Sequence, residues 1–135
     1  MGRIAAILLA GIVAPGPAQA DKYDALRADE KIENGVLIVA IGDIVRDYCP
    51  NFEARRMRSI LFLNGLVGRA KDLGYSMDEI RAYVDSDAEK ERVGLRARQW
   101  LLQEGADFDR PATLCRIARD QIARDTAIGS LIRER

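Results

Sequence analysis

The sequence predicts an all-α fold, a small helical bundle of about four main helices plus a short one, stapled by one disulfide. Three observations predict it. Apolar residues recur at the three-and-four spacing of a helix face in successive segments. Helix-start and helix-stop residues punctuate those segments, and the connections are brief, as in a bundle. The one stretch of strand-like composition finds no second convincing strand, and a lone strand cannot make a sheet.

The first twenty residues read as a cleaved secretory signal peptide. Arg3 supplies a positive start, Ile4 to Ala14 is unbroken and apolar, Pro15-Gly16-Pro17 breaks a helix, and Ala18-Gln19-Ala20 has the small-x-small form of a cleavage site. The apolar run is shorter than the roughly 20 residues of a spanning helix, and no later segment is long and apolar enough to span either. The mature chain then forms a single helical domain over residues 21–135, placed in the periplasm or secreted.

Asp21 to Glu33 is polar and charged, a loose N-terminal arm or short helix that Tyr23 and Leu26 pin to the body. Gly35 to Tyr48 can be read two ways. Val36, Ile38, Val39 and Ile41 suit a strand, but no G-x-G-x-x-G follows. The helix reading is preferred, with Asn34 as N-cap, an almost all-round apolar surface and therefore a central, buried position. Gly42 then permits close approach of a neighbouring helix, and Pro50 stops the segment.

Phe52 to Leu73 reads as a long amphipathic helix with Ile60, Leu63, Leu66, Val67, Ala70 and Leu73 as its stripe. Gly74 suits the C′ position. Gly65 and Gly68 are costly in a helix unless something packs against them. Asn64, beside the stripe, reads as a buried amide bonded to backbone. Ser76-Met77-Asp78-Glu79 is a capping box that opens a short helix through Val84. Asp85-Ser86-Asp87 offers a further N-cap, leading into a charged helix to Glu104 with Val93, Ala97, Trp100 and Leu101 as its stripe, closed by Gly105. Asp109 and Pro111 start the last helix, whose buried side is Leu114, Ala118, Ile122, Ile128 and Ile132.

Cys49 and Cys115 are the two cysteines. An even count in an exported chain argues for a structural disulfide between two helix ends. The competing readings, a reactive thiol or a metal site, find no Cys-x-x-Cys motif and no histidine partner.

Twenty-one Lys and Arg balance 21 Asp and Glu, which argues against a general nucleic-acid or anionic-membrane binder, since either needs a basic excess. Without histidine there are no Ser–His or Cys–His nucleophile systems and no His-ligated metals. The acid pairs Asp78/Glu79, Asp85/Asp87 and Glu89/Glu91 lie at helix starts, where they complement the dipole, so a carboxylate-based hydrolase is the weakest reading. Asp85 to Glu89 has a calcium-loop rhythm, but Lys90 and Arg96 occupy the positions that an EF-hand gives to glycine and glutamate. No catalytic residue, cofactor or metal is expected. Two arginine groups, Arg55/Arg56/Arg58 and Arg92/Arg96/Arg98, either form solvated, salt-bridged faces or face an anionic partner.

The stretch GYSMDEIRAYVDSDAEK (74–90), with Asp43-Ile44-Val45-Arg46-Asp47-Tyr48-Cys49 and Leu114-Cys115-x-Ile117-Ala118-Arg119-x-x-Ile122-Ala123, resembles an exported family of Rhodobacterales-type alphaproteobacteria, domain of unknown function 5333. The resemblance covers nearly all of the mature chain. It implies a small exported helical protein with one cysteine pair and transfers no catalytic residue.

The expected function is a non-catalytic interaction or accessory module whose partner is a periplasmic or membrane-associated protein, with no nucleic acid involved. The alternative is an acid-stress or chaperone-like protein that exposes apolar surface on acidification, motivated by the apolar helix beside many carboxylates.

Overall fold

A computed structural model describes residues 21–135; the expected signal peptide, 1–20, lies outside the described residues. The described residues form helices and one short two-stranded ribbon, which agrees with the expected fold class.

A short helix α1 (Asp24–Ala28) leads into α2 (Glu30–Tyr48). The arm is not loose, because Leu26 and Ile32 are both buried. The cap of α2 is Asp29 rather than Asn34: its carboxylate accepts a 3.1 Å hydrogen bond from the Ile32 amide. Arg69 fixes the same carboxylate from the far side, so the start of the helix is set by a tertiary contact. The helical reading of Gly35–Tyr48 holds. α2 is the central element, touching α1 and every later element except the short α4 and β2 extensively.

After Cys49 and Pro50, Phe52–Ala54 is a strand (β1), where a helix was expected. It pairs antiparallel with Ile132–Glu134 (β2), Phe52 opposite Glu134 and Ala54 opposite Ile132. The Arg55 amide donates to Leu131 O and the Arg135 amide to Asn51 O, both at 2.8 Å, which extends the ribbon at each end. The expected helix therefore begins only at Arg56, as α3 (Arg56–Asp72).

Helices α4 (Met77–Asp85) and α5 (Asp87–Gln103) follow the expected caps. Ser76 and Glu79 make the full capping box, and Ser86 caps α5. Gly74 and Gly105 both adopt φ +97°, the left-handed conformation that ends α3 and α5. Helix α6 (Pro111–Ala123) starts at proline, but Arg110, not Asp109, holds the cap position.

The last helix was expected to run to Ile132, and it does not. Asp125 turns into the left-handed region at φ 51°. The Asp125 and Thr126 amides close onto Ile122 O and Gln121 O, the same closing pattern that glycine makes after α3 and α5. Thr126 then caps a one-turn helix, α7 (Ala127–Ser130). Gly129 makes this reversal possible: a Cβ there would lie 2.1 Å from the Gln121 carbonyl oxygen.

The core has two parts strung along α2. One joins Leu26, Ile32, Ala70, Ile80 and Tyr83. The other joins Ile41, Val45, Cys49, Ala97, Leu101, Leu114, Ala118 and Ile132. Cys49 and Cys115 form the disulfide, Cα atoms 5.7 Å apart, tying the end of α2 to α6. No helix among the described residues is long and apolar enough to cross a membrane.

Candidate functional site

Helix α3 lies against α2 mainly through its C-terminal half. Leu66 enters the notch at Gly35, where an added Cβ would come within 2.4 Å of it, while Gly42 makes only ordinary contact with Ile132. The N-terminal half of α3 is less covered: Ile60 is 42 % and Leu63 45 % exposed, although both belong to the expected stripe. Asn64, expected to be buried, is exposed.

This partial docking leaves an open groove of about 450 Å³ between α3 and the α4–α5 pair. Its floor is α2, through Val36, Val39, Ala40 and Ile44 at helical spacing. Leu63 and Leu66 form one wall, and Val84, Val93 and Gly94 the other. Asp43 and Lys90 stand among the apolar lining as charges of opposite sign. The face of α2 that the sequence marks as apolar is thus only half covered by its own chain. Across Leu63, a smaller cleft of about 120 Å³ reaches Gly42 and Ile132.

One end of the groove is closed by an ionic cluster. Glu89 is buried and accepts from Arg27 of α1, Nε to Oε1 at 2.8 Å, and from Arg92, Nε to Oε2 at 3.0 Å. Glu33 of α2 pairs with Arg92 at 3.0 Å and Arg96 at 2.8 Å. Burial pushes the Glu89 carboxyl up, but the hydrogen bonds from Arg27 and Arg92 together outweigh it and hold it below the usual carboxylate range. Arg92 is raised: burial opposes its charge, and Glu33 and Glu89 more than offset that. Burial also raises the Tyr83 hydroxyl, which accepts from Arg92 at 3.4 Å.

The two arginine groups named from sequence go to different places. Arg92 and Arg96 turn to the carboxylates of their own chain. Arg98 lies over the Phe108 ring, 3.9 Å from its centroid. Arg55 is half-buried, its Nε without a hydrogen-bond partner. Arg56 and Arg58 are exposed and form no ion pair among the described residues. Sequence reasoning missed Arg27 and Glu33, which lay in the supposed arm. No local spacing could have paired Arg27 with a residue 62 positions away.

Chemically the site is an apolar trough with a satisfied ionic end. Every carboxylate in the cluster already has a cationic partner, and among the described residues no group of three or more His, Cys, Asp or Glu side chains is placed to hold a metal ion. The fold and site define a disulfide-stapled helical bundle built around a half-covered central helix. The chain belongs to the family of unknown function DUF5333, whose model matches residues 24–133. Comparison with curated proteins and with solved structures gives no match.

Proposed function

We propose that the protein is an exported, non-catalytic interaction module that receives an amphipathic helix of a partner protein in the groove over α2. The observation that carries this reading is the groove: apolar α2 positions at helical spacing, walled on both sides, with room for apolar side chains. The disulfide and the signal-like N-terminus support export to the periplasm or beyond. The non-catalytic reading is supported by the pairing of Glu89 with two arginines, which keeps it ionised and unavailable as a general acid.

The test is a crosslinked affinity capture from the native envelope, comparing the natural chain with Val84→Glu. Val84 lines the groove yet is 57 % exposed, so the substitution leaves the core intact. One stoichiometric partner, lost with Val84→Glu, is expected. Equal recovery by both proteins would overturn the groove as the docking site.

A chaperone-like role under acid is the second reading. Its support is that α1, α2 and α5 are tied by carboxylate–arginine pairs around Glu33 and Glu89, which acid would neutralise beside the groove. Client protection that rises at low pH, across many unrelated clients, would favour it over a single partner.

A further inference from the structure

The face of α3 that points away from the bundle lies outside the groove. Of the eight large apolar side chains that remain exposed among the described residues, four are on this helix: Met57, Ile60, Leu61 and the groove-lining Leu63. Met57 and Leu61 protrude furthest, at 68 % and 67 % exposure, and their four-residue spacing sets them one above the other as a ridge. The ridge is confined to the N-terminal half, because Gly65 and Gly68 follow on the same face, with no packing neighbour within 4 Å among the described residues.

The charge on this helix is mostly positive: α3 carries Arg56, Arg58, Arg69 and Lys71 against a single carboxylate, Asp72, its last residue. On a helical projection Arg58 flanks the ridge on one side, and Arg56 and Lys71 on the other. Arg69 is committed to Asp29, but Arg56, Arg58 and Lys71 are exposed and form no ion pair among the described residues. Since the whole chain carries equal numbers of both signs, a helix this basic leaves the rest of the molecule net acidic.

We propose that this face of α3 seats on an anionic lipid bilayer. Met57 and Leu61 enter the headgroup–acyl boundary, and Arg56 and Arg58 reach the phosphates beside them. A basic helix with an apolar ridge lies in the plane of such an interface, held by apolar burial and by charge together. The net-acidic remainder is repelled by the same surface, which orients the molecule with α3 downward. A convex ridge suits a deformable bilayer. The concave groove, which suits a protein helix, stays open beside it, so this inference is independent of the groove reading.

The test is co-sedimentation with phosphatidylglycerol and with phosphatidylcholine vesicles, repeated with added salt. The expected result is a preference of about tenfold or more for phosphatidylglycerol, falling with salt over the screening range. Arg56→Glu with Arg58→Glu abolishes that preference. Met57→Ser with Leu61→Ser weakens binding at unchanged charge. All four side chains are exposed, and circular dichroism confirms that each variant keeps its helices. Equal binding to both vesicle types, or full binding by both double variants, would overturn the proposal. Retention on immobilised polyglutamate without binding to phosphatidylglycerol would also overturn it, in favour of an acidic protein surface.

Discussion

Leu66 of α3 fills the space that a side chain on Gly35 of α2 would need, its nearest methyl carbon 2.4 Å from where that Cβ would lie. Gly35→Ala is therefore expected to destabilise, although alanine is the better helix former by about 1 kcal/mol. Adding Leu66→Ala removes the clash. In a double-mutant cycle from denaturant titrations, the pair should be less destabilised than the sum of the singles.

Gly65 and Gly68 give the opposite expectation. Among the described residues, nothing packs within 4 Å of either Cβ position. Replacing each with alanine should stabilise the isolated protein by about 0.5–1 kcal/mol, read as a higher midpoint in thermal or denaturant unfolding. In the sequence these glycines are costly unless packed against, and none of the described residues packs against them.

Glu89 is the ionic tie between α1 and α5. Removing it by Glu89→Ala leaves the Arg27 guanidinium, only 25 % exposed, with Asp21 and Asp24 as its remaining anions. A loss of about 1–3 kcal/mol is expected, measured by urea titration. Arg27→Ala should cost a comparable amount, and the double variant less than the sum.

The pH dependence follows from the lowered carboxyls, of which Asp29 and Glu89 tie separate helices together. Hydrogen bonding from Arg69 lowers Asp29 against the opposing effect of burial. At Glu89, burial is outweighed by Arg27 and Arg92. A carboxyl that titrates lower in the folded state stabilises fully above its unfolded value, about 4. That contribution is lost as the pH falls through the lower folded value. The denaturant midpoint should thus hold from neutral pH down to about 4 on their account and fall below it. Glu89→Gln should start less stable and lose less on acidification.

Reduction of the Cys49–Cys115 bridge, whose cysteines stand 66 positions apart, is expected to lower stability by up to about 4 kcal/mol. Comparing urea midpoints with and without a reductant checks this.

Much of the architecture is legible from local chemistry. The capping box at Ser76, the closing glycines at 74 and 105, and the helical state and central place of Gly35–Tyr48 each carry their own signal and hold in the structure, although that helix is only partly buried. What escapes is what depends on distant partners. Phe52–Ala54 is three residues long, too short to display a period, and is a strand only because Ile132–Glu134 returns beside it. The break after Ala123 is hidden because aspartate, not glycine, takes the left-handed position at 125. The groove is hidden for a related reason. Leu63 and Leu66 look alike in the stripe, and only the packing of α3 on α2 decides that Leu66 is buried and Leu63 is not.

The disulfide and the terminal ribbon together close the chain on itself. Every residue of α3, α4 and α5 lies between Cys49 and Cys115. A single proteolytic nick anywhere in that span, for instance at the exposed turn around Gly105, leaves two fragments that stay covalently joined. Such a nicked molecule would run as one species until reduced. A lost full-length band on a reducing gel would therefore record a cleavage without recording any loss of the folded, linked protein.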